Sequence, residues 1–326
     1  MALLDSAIAF GTVIMLGALG EIIIEKSGNL NLGIPGVMFL GAIGGLIPPF
    51  FYELGGGSNP IVGILLSLLC SLLFSAFGGI IYAFLTITLR ANQNVTGLTL
   101  TIFGAGFAEF FGASLNKLAG GVGQISIPVT SAGFRAYTPL GSMGGIMKIL
   151  FGHGFLVYLA LVIAVVLHWF LNHTRKGLNL RAVGENPGTA DAAGINVTRY
   201  KYVGTIVGSA IAGLGGLFYT VDYIKGTWAN DGTVEGLGWL AVALVIFTTW
   251  KPLNAIWGAY LFGMLYWLYQ FLPSLLGIKM AIYMTDLVQM LPYVVTIVVL
   301  IVVSMRKKKE NQPPAHLGLA YFREER

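Results

Sequence analysis

The stretch IVGILLSLLCSLLFSAFGGIIYAFLTITL, residues 61–89, carries no charged side chain. As a straight helix it would be about 43 Å long, more than the roughly 30 Å hydrocarbon core of a bilayer, so it must tilt or protrude. Further apolar runs lie near residues 3–19, 33–52, 97–112, 151–171, 202–223, 237–249, 254–272 and 287–304. The pattern predicts an all-α, polytopic integral membrane protein with about nine transmembrane helices, in a range of roughly 8–10.

The composition is also that of a membrane protein. Hydrophobic residues make up 56% of the 326 positions and charged residues 10%, against roughly 25% charged residues in soluble domains. The 45 glycines allow helices to approach closely or to unwind, so we expect some spans to be broken at glycine or proline. The basic residues lie between apolar runs and near the C-terminus, which membrane topology explains better than a nucleic-acid partner does.

Motifs for catalysis and metal binding are missing from the sequence. There is no Gly-x-x-x-x-Gly-Lys-Ser/Thr phosphate loop, so any energy from ATP must come from another polypeptide. The four histidines and the single cysteine, Cys70, lack metal-ligand spacing, and no nucleophile elbow is found. We therefore expect no catalytic residue, no metal site and no cofactor.

One polar segment, Gly177–Tyr202, interrupts the apolar runs. Asn186 suits a helix N-cap, Pro187 suits the first helical position, and Gly194 stands where a left-handed C-terminal residue is expected. Thr198 is then expected to cap the next span. The segment predicts a short helix on the cytoplasmic face, where an external motor could push the protein; the alternative is an ordinary solvated loop without a partner.

The distribution of basic residues predicts the orientation. If the polar segment is cytoplasmic, alternation of nine spans places 14 of the 19 Lys and Arg residues inside and five outside. The N-terminus is then outside and the C-terminus inside. Residues 1–304 form a transmembrane domain that contains a cytoplasmic loop, residues 172–201, and residues 305–326 form a basic cytoplasmic tail.

Polar side chains beside or within the apolar runs are costly in a membrane, so they are candidates for lining a path through it. Asn29 and Asn31 precede spaced glycines, which predicts a broken helix that faces a cavity; the alternative is a loop before a glycine-packed span. Asn92, Gln93 and Thr96 carry amides and a hydroxyl suited to neutral polar solutes, although they can equally form a solvated loop at the cytoplasmic surface.

The last apolar run contains a third polar group. Pro292 should kink this span, and Gln289, Tyr293 and Thr296 fall on one helix face. This stripe is a candidate wall of the path, unless Tyr293 simply bonds to a neighbouring helix. Among the acids near the apolar runs, only Glu109 is expected to lie deep in the membrane, which would allow proton coupling.

Several stretches resemble the permease subunits of bacterial ABC importers that serve ribose, branched-chain amino acids and nucleosides. They are residues 27–42, 181–187 with 192–195, 236–247 with 250–252, and 289–293 with Thr296. The last two are most similar to the nucleoside branch, whose solutes are delivered by a basic-membrane-lipoprotein type of receptor. The family commonly has an acid at Ile34-Pro35, where this sequence has none, so no polar role is carried over to that position.

The resemblance implies roles for the two polar regions. The capped segment would be the coupling loop that contacts the ATPase, and the Asn29 and Asn92 groups would border the translocation path. The residues assigned to coupling are Arg181, Glu185, Asn186, Pro187 and Gly194.

The resemblance also implies partners: an ABC ATPase subunit, a second homologous permease in a heterodimer, and an extracellular substrate-binding lipoprotein. Residues 113–150, the longest outside segment, would be either the docking surface for that lipoprotein or a flexible connector.

The sequence therefore predicts a permease subunit of the bacterial cytoplasmic membrane that imports nucleosides by alternating access, with energy from a partner ATPase. A sugar or branched-chain amino-acid permease is the alternative within this class. An ion-coupled secondary transporter working through Glu109 is a less favoured alternative, and a membrane receptor that moves nothing is a third.

Overall fold

The computed structural model describes residues 2–121, 123–136, 141, 145–229, 232–276, 282–306 and 312–322. The described chain is helical, with one isolated β-bridge between Ser126 and Thr227. The helices are α1 (Ala2–Lys26), α2 (Ile34–Leu54), α3 (Pro60–Ala83), α4 (Gln93–Leu118), α5 (Pro128–Phe134), α6 (Gly145–Phe151), α7 (Phe155–His173), α8 (Arg175–Glu185), α9 (Pro187–Ala192), α10 (Val197–Phe218), α11 (Thr233–Phe247), α12 (Pro252–Leu276), α13 (Ile282–Gln289) and α14 (Leu291–Arg306).

Six helices of the described chain are long and apolar enough to cross a membrane: α1, α2, α3, α4, α7 and α10. Two of them end in a π-helical turn, α3 at Phe84–Thr88 and α10 at Tyr219–Tyr223. Shorter apolar helices follow at Thr233–Phe247 and across residues 286–298. The polytopic helical fold is therefore confirmed, whereas the number of nine spans stays a prediction.

The core is formed by α1, α2 and α10, which are largely buried, while α3, α4 and α7 bury only about a third of their apolar windows. Glycines allow the central helices to touch. A Cβ added to Gly41 of α2 would collide with the backbone of Gly213 in α10, and one added to Gly20 of α1 would collide with Gly208. Backbone contact at this range excludes any side chain between the helices.

The α1–α2 region corrects one prediction. Residues 27–33 are not helical, but α2 then runs without interruption from Ile34 to Leu54 and contains Pro48 and Pro49. The region is thus a loop followed by a glycine-packed helix, and the predicted broken helix is wrong. The glycines that suggested a break serve packing instead, since a Cβ on Gly36 would strike the backbone of Leu100.

The helix ends and loops lie at two opposite ends of the molecule. One of them, which we call the α8 end, is formed by residues 26–33, 84–93, 174–202 and 312–322. At the opposite end, Asp5 lies 3.6 Å from His153, and burial lowers the pKa of that histidine although Asp5 opposes the shift. The start of α1 and residues 312–322 therefore lie at opposite ends of the molecule.

The segment between α4 and α7, within the predicted outside loop 113–150, contains the short helices α5 and α6. Glu53 at the end of α2 accepts hydrogen bonds from the backbone of Val129 and Thr130 at 3.2 and 2.8 Å, so it caps α5. Ser131 donates to the carbonyl of Val221 at 2.7 Å. The described part of this loop is thus fixed to α2 and α10.

Candidate functional site: the α8 end

Two capped helices form the polar segment, where the sequence predicted one. Thr174 caps α8 by accepting from Gly177 N at 3.0 Å, and Asn186 caps α9 by accepting from Thr189 N at 3.0 Å. Pro187 opens α9, and Gly194 follows it with a φ of +81°. The predicted N-cap, proline and left-handed glycine are therefore confirmed.

The predicted cap of the following span is wrong. Asn196, not Thr198, caps α10, because its side chain accepts from Arg199 N at 2.9 Å. Thr198 already lies inside the first turn of the helix, where its hydroxyl is too far along the chain to reach the first free N–H groups.

The α8–α9 segment packs directly against the loop between α1 and α2. A Cβ added to Gly28 would come within 3.2 Å of the Gly184 Cα, so the two backbones lie against each other. Val183, Ala190 and Val197 form a small buried cluster that holds α8, α9 and the start of α10 together. The α8–α9 segment and the α1–α2 loop are therefore in direct backbone contact.

Residues 312–322 bind to the same place. His316 N donates to Gly184 O at 3.0 Å, Ala315 N donates to Glu185 Oε2 at 3.3 Å, and Gly318 N donates to Gly28 O at 3.3 Å. Burial, followed by the nearby charge of Lys201, lowers the pKa of His316. The sequence predicted only that the tail is basic, whereas its described part connects α8 with the α1–α2 loop. Residues 307–311 and 323–326 lie outside the described residues.

The predicted coupling residues differ in exposure. Arg181, Glu185, Asn186 and Gly194 are exposed, while Pro187 is buried. Arg181 donates to Asn172 Oδ1 at 3.0 Å, which fixes its guanidinium beside the end of α7. Polar groups of α8 and α9 are therefore accessible at the surface of the segment, whereas Pro187 packs inside it.

The α1–α2 loop is buried, and its backbone and the side chain of Asn29 form hydrogen bonds with the surrounding helices. Asn29 donates to Thr205 of α10 at 2.8 Å, and Leu30 N donates to Gln93 Oε1 of α4 at 2.7 Å. Asn31 N donates to Glu21 Oε1 at 3.1 Å. The predicted groups around Asn29 and Asn92 are thus brought together as one junction, which we call the α1–α2 junction.

Within this junction the predicted path residues have different surroundings. Asn92 is exposed and caps α4 by accepting from Val95 N at 3.1 Å. Gln93 and Thr96 are buried on the inner face of α4. Of these three residues, only Asn92 therefore has the solvent exposure that the solvated-loop alternative predicts.

The third predicted group lies elsewhere. Tyr293, which is 46% exposed, and Thr296, which is buried, belong to α14 and so to the region that packs on α11 and α12. The helix is interrupted at Met290, directly before Leu291 and Pro292, as the proline predicted. The side chain of Gln289 lies outside the described residues.

A cavity of ≈ 620 Å³ opens at the α8 end. Asn29 and Gln93 of the junction line it together with Gly194 of the polar segment. The cavity therefore joins the two regions to which the sequence assigned path and coupling roles.

The sequence matches the model of the family described as the branched-chain amino acid transport system permease component over residues 3–301. The chain belongs to this permease family. It is 32% identical to the nucleoside ABC transporter permease protein NupC of Lactococcus lactis, over 89% of this chain and 88% of that protein. It is 30% identical to the guanosine ABC transporter permease protein NupQ of Bacillus subtilis, over 80% and 79%.

A third relative carries a different solute in its name. The permease is 35% identical, over 81% of its own chain and 75% of the relative, to a Haloferax volcanii protein assigned provisionally to a glucose ABC transporter.

Two buried acids of the permease escaped the sequence prediction. Glu21 and Glu25 lie one turn apart in α1 and are almost fully buried, and Glu25 accepts a hydrogen bond from the indole N–H of Trp250. The first predicted apolar run ended near residue 19, so both acids fell just beyond it and were given no role. Their spacing of four, directly after an apolar run, was the available signal that they share a helix face.

The depth of Glu109 in the membrane stays a prediction. Within the described chain this residue is exposed on the surface of α4, so no other part of the permease encloses its carboxylate.

Proposed function

We propose that this permease is the membrane subunit of an ATP-driven importer that carries nucleosides into the cell. Hydrolysis on a partner ATPase moves α8 and α9 and switches the path from outward to inward access. The observation that carries the proposal is the backbone contact between Gly184 and Gly28, since it links the polar surface to the α1–α2 junction. Coupling requires that the contact with the ATPase differ in free energy between the two states.

The ATPase would bind the exposed polar surface of the α8–α9 segment. Arg181 and Glu185 supply opposite charges there, while Asn186 and Gly194 define the two ends of α9. Pro187 would act indirectly, by fixing the start of that helix. No ATP-binding residue is assigned to the permease.

The α1–α2 junction would form the inner end of the path. Asn29 and Gln93 line the cavity from which a solute would leave, with Asn92 near its rim. Asn31 and Thr96 would support them from behind. Gln289, Tyr293 and Thr296 are proposed as a separate stretch of the path wall along α13 and α14.

The proposed setting is the bacterial cytoplasmic membrane, with the α8 end inside and the N-terminus outside. A second homologous permease would cover part of the apolar surface that α3, α4 and α7 leave exposed, as a heterodimer requires. The lipoprotein that delivers solute would dock at the opposite end, on residues 113–150.

The nucleoside assignment is supported by the names of the Lactococcus and Bacillus relatives. A sugar is the second candidate solute, because the Haloferax relative is named for glucose. A branched-chain amino acid is a third, from the description of the family.

The test is uptake into proteoliposomes that contain the permease, its partner ATPase and a second permease, with the binding lipoprotein outside. We expect labelled guanosine, but not glucose or leucine, to accumulate when ATP is enclosed, and not with a non-hydrolysable analogue. Uptake of glucose instead would overturn the solute. Uptake driven by a proton gradient without the ATPase would favour a secondary transporter, and an ATPase unaffected by any solute would favour a receptor.

A further inference from the structure

The cavity at the α8 end has the size of a small-ligand site. Its ≈ 620 Å³ lie between the π-helical turn after α3, the start of α4, the start of α10 and residues 319–321 of the tail. Binding sites for small molecules commonly enclose about 300–1,000 Å³.

The cavity carries an excess of positive charge. Among its lining residues, all of them described, Arg90, Arg199 and Lys201 are cationic and Asp191 is the one carboxylate. That carboxylate already accepts a hydrogen bond from the Tyr321 hydroxyl at 3.0 Å. The cavity therefore offers a potential that favours an anion.

Lys201 is the most informative of these cations. It is only 3% exposed, although it lines the cavity, and the described part of the chain gives its ammonium no acidic partner. Thr205, one turn further along α10, is fixed by its hydrogen bond from Asn29, so this face of the helix is held in place. Buried charges in proteins are normally paired or hydrogen-bonded, so an ammonium that faces the cavity without a carboxylate partner is suited to bind an anion there.

The positive-inside rule does not explain this arrangement. A lysine that serves only topology can stay in water, as Lys176 does on α8. Arg90 is also held in place: it lies two residues after the π-helical turn, with a φ of +56°, and its guanidinium lies 4.4 Å from the ring centroid of Phe322. The cations thus come from different elements that the fold brings together at one cavity.

We propose that this cavity binds the phosphate group of a small ligand. Two guanidinium groups and one ammonium match phosphate oxygens, which accept several charge-assisted hydrogen bonds at once. The amide nitrogen of Gln93 is a further donor, because its oxygen is already occupied by Leu30 N. The phosphate can come from a soluble mononucleotide or from the headgroup of an anionic lipid at the inner leaflet.

The proposal rests on the charge and shape of the cavity, so it stands or falls independently of the solute that the permease carries. A ligand bound there would contact α10, α4 and the tail together. It would therefore oppose any motion that separates the α8–α9 segment from the α1–α2 junction.

The test is ligand binding to the full-length permease in nanodiscs of neutral phosphatidylcholine. Inorganic phosphate, guanosine monophosphate and unphosphorylated guanosine are titrated by isothermal calorimetry. Nanodiscs containing phosphatidylglycerol form a second arm, in which native mass spectrometry counts the lipids that stay bound. Binding of phosphate or the nucleotide in neutral discs identifies a soluble ligand, and selective retention of phosphatidylglycerol identifies a lipid.

In whichever arm binding occurs, we expect Lys201→Gln and Arg90→Gln each to weaken it about tenfold or more, because each removes a charged hydrogen-bond donor. Lys176→Gln makes the same charge change at the α8 end but outside the cavity, and it should leave affinity unchanged. Arg90→Gln lies at the surface and keeps the test valid if Lys201→Gln does not fold. Absence of binding in both arms, or equal affinity in all variants, would overturn the proposal.

Discussion

At the scale of single residues, the buried acids of α1 make a prediction about stability. Replacing Glu25 with leucine leaves the Trp250 N–H without an acceptor, which costs about 1–3 kcal/mol, whereas glutamine keeps an oxygen in place. We expect Glu25→Leu to unfold in detergent at a lower temperature than Glu25→Gln. In a Trp250→Phe background the difference between the two variants should become smaller, because the Trp250 N–H is no longer there; a difference of unchanged size would contradict this account.

The N-cap of α9 makes a second prediction. Asn186→Ala removes one side-chain cap and should cost about 1 kcal/mol without unfolding the permease. If α9 transmits force, solute transported per ATP hydrolysed should fall. Asn59→Ala is the matched control, because Asn59 caps α3 at the opposite end by accepting from Ile61 N at 3.0 Å. Equal coupling ratios in the two variants would contradict the role of α9.

At the scale of elements, glycine contacts decide how closely α2 and α10 pack. Gly41→Ala forces these helices apart, since the added methyl group meets the Gly213 backbone, and we expect a loss of about 1–3 kcal/mol. Gly106→Ala adds the same group to α4 where no atom lies within 4 Å, so it should be neutral or stabilising by up to about 1 kcal/mol. Thermal unfolding of both variants checks the prediction, and similar shifts would contradict it.

The tail is the second element with a testable role. Deleting residues 312–326 removes the donors to Gly184 O and Gly28 O and also the contact with Glu185. We expect amides of residues 177–196 to exchange with deuterium faster, because fewer contacts then hold α8 and α9 down. Amides at the opposite end, such as those of α5, provide the internal reference. Unchanged exchange in residues 177–196 would show that the tail does not restrain them.

At the scale of the whole molecule, the orientation is open to a direct experiment. In a Cys70→Ser background, Arg181→Cys should resist a membrane-impermeant thiol reagent in intact cells and react after permeabilisation. Lys117→Cys, at the far end of α4, should react in intact cells. The opposite pattern would invert the topology and remove the basis for an ATPase at the α8 end.

How much of the molecule the sequence predicts depends on how far apart in the chain the interacting residues lie. Apolar runs and the cap at Asn186 depend on neighbouring residues, so the helical membrane fold and the start of α9 follow from pattern. The environment of Glu25 depends on Trp250, which is distant in the chain, and no local pattern reveals it. The tail escapes prediction for another reason: it binds largely through backbone donors, such as His316 N, that every sequence carries.

The position of the tail has a consequence for biosynthesis. A nascent chain inserts its helices as they leave the ribosome, but the carbonyls of Gly184 and Gly28 must wait for residues 316 and 318, which are translated after every described helix. A product truncated before residue 316 would therefore reach the bilayer with these two carbonyls lacking their donors. Attachment of residues 312–322 thus reports that synthesis has passed all the described helices, at the very surface where the motor is proposed to engage.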